Sequence, residues 1–400
     1  MNKKKVTIIL MVFIAIFSTF VFVKNNSNFE ITNEINNKSK KNNDLLTMNL
    51  EQTAGTGDYK TVTQSEWPTE GYEFNKELSK CENGSEISWD DTKKVVVVSG
   101  NLSDKCYVYF DIARFDKLCN TSTLACHVAK LYTGTQGENG IYYHNTSLTN
   151  GAGDNNYRYA GANPNNYICL GSDATTCPDD NLFRIIGVFG DKVKVIKDKS
   201  VVKMHWDTSN YNTWSSSSLN TYLNGEYLTS IGTLSDKIDV ATWKVGGNTW
   251  DNISVSTAKE VYDYEIKNPS TTASTGETEY SAKIGLMYVS DYMFAVLQDN
   301  WTLVAYNSND ATKDYRAVKT ENWLYLGSDE YTITRSSKYS GDVFAIYSSG
   351  EVYSYSVSCG SGEPLPCSVY AKYARPSFYL ISSVEYSGGT GTSSDPIRIN

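Results

Sequence analysis

The chain has only three histidines, His127, His144 and His205, and no surplus of basic side chains: 36 Lys and Arg stand against 45 Asp and Glu, a net charge of −9. With no excess cations to displace counterions from phosphates, nucleic acid is excluded as a partner class. The eight cysteines contain no Cys-x-x-Cys pair, and Cys126 beside His127 is mere adjacency, so the ligand spacing of a zinc site is missing. No Gly-x-Ser-x-Gly elbow accompanies a histidine, and no Gly-x-x-x-x-Gly-Lys phosphate loop occurs. The sequence therefore predicts no catalytic residue, no metal and no cofactor.

What is present favours strands and turns. There are 30 tyrosines, 28 glycines and 40% hydrophobic residues in a chain of 400, material for two or three sheet-rich domains. Lys3, Lys4 and Lys5 precede an uncharged run over 6–23, closed by Lys24. As a helix that run reaches about 27 Å, close to the roughly 30 Å of a hydrocarbon core. Lacking a small-x-small cleavage site, it predicts an uncleaved transmembrane signal-anchor. Residues 1–5 are then a cytoplasmic basic tail, the membrane is a partner, and everything from Lys24 onward is extracellular. The cysteines agree with oxidising surroundings: Cys81 with Cys106, Cys119 with Cys126, Cys169 with Cys177 and Cys359 with Cys367 close four short loops by nearest-neighbour pairing.

Composition divides the remainder. Residues 24–70 read as a polar tether, with eight Asn and four Lys between positions 24 and 43. Residues 71–111 read as a small all-β module, its β-branched and aromatic runs at 94–98 and 106–110 punctuated by Gly, Asn and Asp. Apolar Ile112, Phe115, Leu118, Leu124, Val128 and Leu131 recur at near-helical spacing in a helix-and-loop connector over 112–156. In the larger domain, 157–400, Gly190-Asp191 predicts a tight hairpin between 182–189 and 192–196. Serines 215–218 and the Asn224-Gly225 pair bracket a short helix. Further strands are expected at 283–289, 293–297, 301–305, 323–326, 331–335, 342–347, 351–357 and 375–380.

Several stretches carry a resemblance. The segment from Tyr72 through Cys106-Tyr107-Val108-Tyr109-Phe110, Tyr157-Arg158-Tyr159-Ala160-Gly161-Ala162, and Asn181-Leu182-Phe183-Arg184-Ile185-Ile186-Gly187-Val188 resemble membrane-anchored surface proteins of low-GC Gram-positive gut bacteria. So do Trp214 with Leu219-Asn220-Thr221-Tyr222-Leu223-Asn224, Asn322-Trp323-Leu324, and Ala374-Arg375-Pro376-Ser377-Phe378-Tyr379-Leu380 followed by Asp395-Pro396. The resemblance covers about 330 residues. It implies a domain of unknown function similar to C-type-lectin-like or sulfatase-modifying-factor-like folds, here read as C-type-lectin-like, and hence an α+β chain: a small disulfide-bridged β module, then a mixed α/β domain with mostly antiparallel strands, behind one N-terminal transmembrane helix. The lectin calcium signature Glu-Pro-Asn is missing, which argues against calcium-dependent sugar binding.

Aromatics are the remaining functional signal. Trp206, Tyr211 and Trp214 lie within nine residues and Trp243 and Trp250 within eight, interleaved with Asn, Asp, Ser and Thr. Aromatic faces flanked by hydrogen-bonding groups suit a glycan or an extracellular protein, so these five are the candidate ligand contacts. The reading is a membrane-anchored extracellular adhesion protein without catalytic activity. Its alternatives are a structural or pilus-like surface subunit and, below that, an extracellular hydrolase.

Overall fold

The protein is described from a computed structural model, which covers residues 45–63, 66, 71–90, 95–101, 103–208, 211–248, 253–269, 277–357 and 371–400, together with the backbone of Val21–Lys24. The chain divides into two compact units, Met1–Leu118 and Cys119–Asn400.

In the first unit a five-stranded sheet runs in the order Tyr59–Val62, Leu46–Glu51, Cys106–Ile112 and Tyr72–Phe74, with Lys80–Cys81 also paired to Cys106–Ile112. A three-stranded sheet joins Val21–Lys24, Val95–Ser99 and Glu86–Asp90. The inward faces of the two sheets share one core. Met48 and Leu50 meet Val96, Val98, Val108 and Phe110, and Phe110 takes Trp89 and Phe74 edge-on at 4.9 and 5.8 Å. A disulfide between Cys81 and Cys106 closes a separation of 25 residues, which stabilises a small core by about 3 kcal/mol.

Two features of this unit depart from the sequence reading. Leu46–Glu51 and Tyr59–Val62 are sheet strands drawn from the stretch read as tether. The transmembrane helix over 6–23 is not supported: Val21–Lys24 is a strand running parallel to Val95–Ser99, and no helix among the described residues is long and apolar enough to cross a membrane. Residues 1–20 lie outside the described ones.

The second unit is built on two large sheets, with two further sheets of two strands each. One is antiparallel throughout, in the order Ile284–Gly285, Ser377–Tyr379, Lys192–Lys197, Leu182–Phe189, Tyr157–Tyr159 and Ile141–Tyr143, with Tyr167–Cys169 also on Leu182–Phe189. The predicted hairpin is at its centre, turning through Gly190 at φ +62°. The other has the order Val202–Met204, Lys372–Ala374, Glu330–Ser336, Asp342–Ile346 and Val352–Ser356. Helices are short: among the described residues regular α segments such as Leu124–Ala129 and Val289–Phe294 do not exceed six residues. The architecture is mostly sheet, which corrects the expected α+β chain with a mixed α/β, C-type-lectin-like domain. The helix expected to stop at Asn224-Gly225 instead continues from Ser218–Tyr222 through a π-type segment, Leu223–Tyr227, to Ser230.

Disulfides join Cys119 to Cys126 and Cys169 to Cys177, as nearest-neighbour pairing predicts. Cys359 and Cys367 lie outside the described residues.

Candidate functional site

Trp206, Trp214 and Trp243, three of the four tryptophans singled out by the sequence, are core. Trp206 and Trp214 are fully buried, with ring centroids 5.2 Å apart, and Trp206 also packs on Tyr331 at 5.6 Å. Trp243 is 1% exposed and donates its indole N–H to the Ala282 carbonyl at 3.1 Å. Only Tyr211, at 54%, is exposed; Trp250 lies outside the described residues. Of the polar residues interleaved with them, Asn212 and Ser217 are buried too, while Thr208 and Ser216 are exposed. Asn212 Nδ2 reaches the Ser336 and Asp342 carbonyls at 2.7 Å each, and Ser217 Oγ caps the helix that follows by accepting the Asn220 N–H at 3.0 Å.

Two other places concentrate chemistry in the second unit. The first is a small cavity of about 130 Å³ where the central hairpin meets the segments 258–267 and 288–294. Arg158, on Tyr157–Tyr159, grips Asp154 with two hydrogen bonds of 2.8 and 2.5 Å, and Tyr262 donates its hydroxyl to the same carboxylate at 2.9 Å. Beside it Lys194, on Lys192–Lys197, meets Asp291 at 2.5 Å inside an aromatic cage. Tyr288, Trp243, Tyr379 and Phe189 lie 4.5, 5.5, 5.6 and 5.7 Å from its ammonium. Asp291 is held by the chain it caps, accepting the Tyr288 N–H at 2.8 Å at the start of Val289–Phe294.

Glu265 completes the cluster from a π-type segment, Asp263–Lys267, whose widened turn is a common mark of a special site. Its carboxyl accepts the Val289 and Ser290 N–H groups at 3.0 and 2.9 Å and a hydrogen bond from Thr334.

These environments pull protons in opposite directions. Burial works against the charge on Asp154, but Arg158 overrides it and holds the carboxyl far below the usual range. Burial raises Glu265 from an ordinary 4.5 to about 7, against the pull of its hydrogen bonds from Thr334 and Ser290. Burial lowers Lys194, opposed by Asp291. A measurable pH dependence results. Between about pH 4.5 and 7 the unfolded chain releases the Glu265 proton while the folded one keeps it. Stability therefore falls as pH rises through that window, by about 3 kcal/mol. Glu265→Gln is expected to flatten this slope in urea unfolding run across the window. Asp154 acts with the opposite sign and at lower pH: its contribution is present above the unfolded carboxylate value and lost on further acidification.

The second place is a partly exposed tyrosine face. On the edge strand Val352–Ser356 the two-residue period turns Tyr353 and Tyr355 to one side. Tyr353 meets Tyr306 and Tyr347 edge-on at 5.0 and 5.9 Å, and Tyr347 meets Tyr355 at 6.2 Å. Cations border it: Lys372 sits 3.6 Å from the Tyr355 ring centroid and 4.7 Å from that of Tyr347, and Arg316 sits 5.0 Å from Tyr306. Asp329 anchors Lys372 at 2.8 Å.

No protein-family model, no curated protein and no solved structure matches the chain.

Function must therefore be argued from these two places. The cavity is well below the roughly 300–1,000 Å³ of a typical ligand pocket. The tyrosine face imposes no such size limit. Sequence reasoning passed over it because tryptophan drew attention first; its signal is the Tyr-x-Tyr alternation at 353 and 355 in a strand-like run. In the loop beside this face, Asp314 accepts the Asn307 N–H at 2.7 Å and pairs with Arg316 at 2.6 Å. Among the described residues no group of three or more His, Cys, Asp or Glu is placed to hold a metal ion.

Proposed function

We propose that this is an extracellular, non-catalytic surface protein that binds a glycan on the face formed by Tyr306, Tyr347, Tyr353 and Tyr355. The observation that carries the reading is the clustering of these four rings on one sheet edge with Lys372 and Arg316 beside them. Tyrosine offers an apolar ring to the C–H face of a sugar and a hydroxyl to its rim, while the partly exposed Arg316 and Asp329 border the face with polar groups and the buried Lys372 backs the rings from beneath. Three disulfides support export, because such bonds persist in oxidising compartments.

A glycan array probed with the full chain tests this. The wild type is expected to retain a defined set of glycans, and the double variant Tyr347→Ala/Tyr353→Ala to lose them with an unchanged melting temperature. Equal glycan retention by wild type and variant, or a wild type that retains none, would count against the proposal.

A further inference from the structure

We propose that Lys194 and Asp291 join covalently, Nζ of one bonded to Cγ of the other, as a self-made amide cross-link within the second unit. The partners are already in place: Nζ lies 2.5 Å from Asp291 Oδ2, with the two side chains only 1% and 5% exposed. A nitrogen that near one carboxyl oxygen stands about 3–3.5 Å from the carboxyl carbon, the separation of a near-attack arrangement. Neither partner can drift. Lys194 extends from a central strand and is enclosed by Tyr288, Trp243, Tyr379 and Phe189. Asp291 is tied to the Tyr288 N–H at the start of its helix.

The surroundings favour the neutral amine that condensation needs. An ion pair taken out of water carries a desolvation penalty that an amide, having no charge, does not. Burial lowers Lys194 towards the free amine, and Arg158, on the same cavity, pushes in the same direction. Glu265 pulls the other way only while ionised, and burial keeps its carboxyl protonated up to about pH 7. The second carboxylate of the cavity, Asp154, is occupied by Arg158 and Tyr262, which leaves Asp291 as the partner Lys194 meets.

The step balances without an oxidant or co-reactant. One proton passes from the ammonium to the carboxylate, giving an amine and a carboxylic acid. The nitrogen lone pair attacks Cγ, the Cγ–OH bond breaks, and the hydroxyl departs with one amine proton as water. No atom changes oxidation state. The cavity of about 130 Å³ lined by both residues can receive that water. The product would tie together residues 97 positions apart through a bond that neither reductant nor denaturant opens. It does not depend on the glycan reading.

Peptide mapping of the reduced, denatured full chain decides the matter. The expected result is a branched peptide containing Lys194 and Asp291, lighter by one water than the sum of its two arms, and missing from Lys194→Met and Asp291→Ala. Linear, unmodified Lys194 and Asp291 peptides in the wild type would overturn the proposal. Because the wild-type map alone is decisive, a variant that fails to fold leaves the test intact.

Discussion

Replacing Arg375 with methionine is expected to destabilise the second unit by about 3–5 kcal/mol, because it strands a buried carboxylate. Arg375 and Glu330 are 1% and 2% exposed and meet at 2.5 Å, and the guanidinium also donates to the Leu324 carbonyl at 2.5 Å. Burial raises the Glu330 carboxyl even with Arg375 beside it, so losing the cation would drive the carboxyl to take up a proton or the region to open. Urea unfolding should show the midpoint falling with an unchanged slope. The double variant Glu330→Met/Arg375→Met should recover part of the loss, giving a coupling of more than about 1 kcal/mol. Additive losses would mean that the two side chains act independently.

Gly187→Ala is expected to be at least as damaging. Ile185 and Gly187 flank a register shift in the pairing of Leu182–Phe189 with Lys192–Lys197, and a Cβ at 187 would lie 1.9 Å from the Tyr157 carbonyl oxygen on the neighbouring strand. The obstacle is backbone, which no rotamer change relieves, so Tyr157–Tyr159 must move away from the centre of the sheet. A loss above about 4 kcal/mol, seen as absent cooperative unfolding, is the expected result. Gly225→Ala is the matched control. No atom lies within 4 Å of its added Cβ, and the change is expected to be neutral or stabilising by about 0.5–1 kcal/mol. Similar unfolding of the two variants would refute the steric account.

Local signals in the sequence carried much of the fold. Gly190 marks the central hairpin, and short cysteine spacings correspond to the three described bridges. The helical spacing after Ile112 corresponds to Phe115–Leu118 and Leu124–Ala129. Signals that depend on distant partners were not legible. Leu46–Glu51 follows a polar stretch and becomes a strand by pairing in parallel with Cys106–Ile112, roughly sixty residues on. Val289–Phe294 is buried on every side, so it lacks the amphipathic period of a helix, and strands were expected at 283–289 and 293–297. Trp206 and Trp214 were misread for a related reason: their neighbours Asn212 and Ser217 bond to backbone and cap a helix inside the fold, which looks in sequence like a wet surface. Lys192 and Lys194 alternate identically along their strand, yet Lys192 is half-buried with Asp239 and Lys194 is caged with Asp291.

The exchange of roles between tyrosine and tryptophan is the central claim, and a titration compares the two directly. A glycan retained on the array is titrated into wild type, Tyr347→Ala/Tyr353→Ala and Trp206→Phe, with thermal unfolding of each recorded alongside. The account predicts that the tyrosine variant binds at least about tenfold more weakly at unchanged stability, about 1.4 kcal/mol of lost affinity. Trp206→Phe should keep its affinity and melt lower. Weakened binding by Trp206→Phe with full affinity in the tyrosine variant would contradict it.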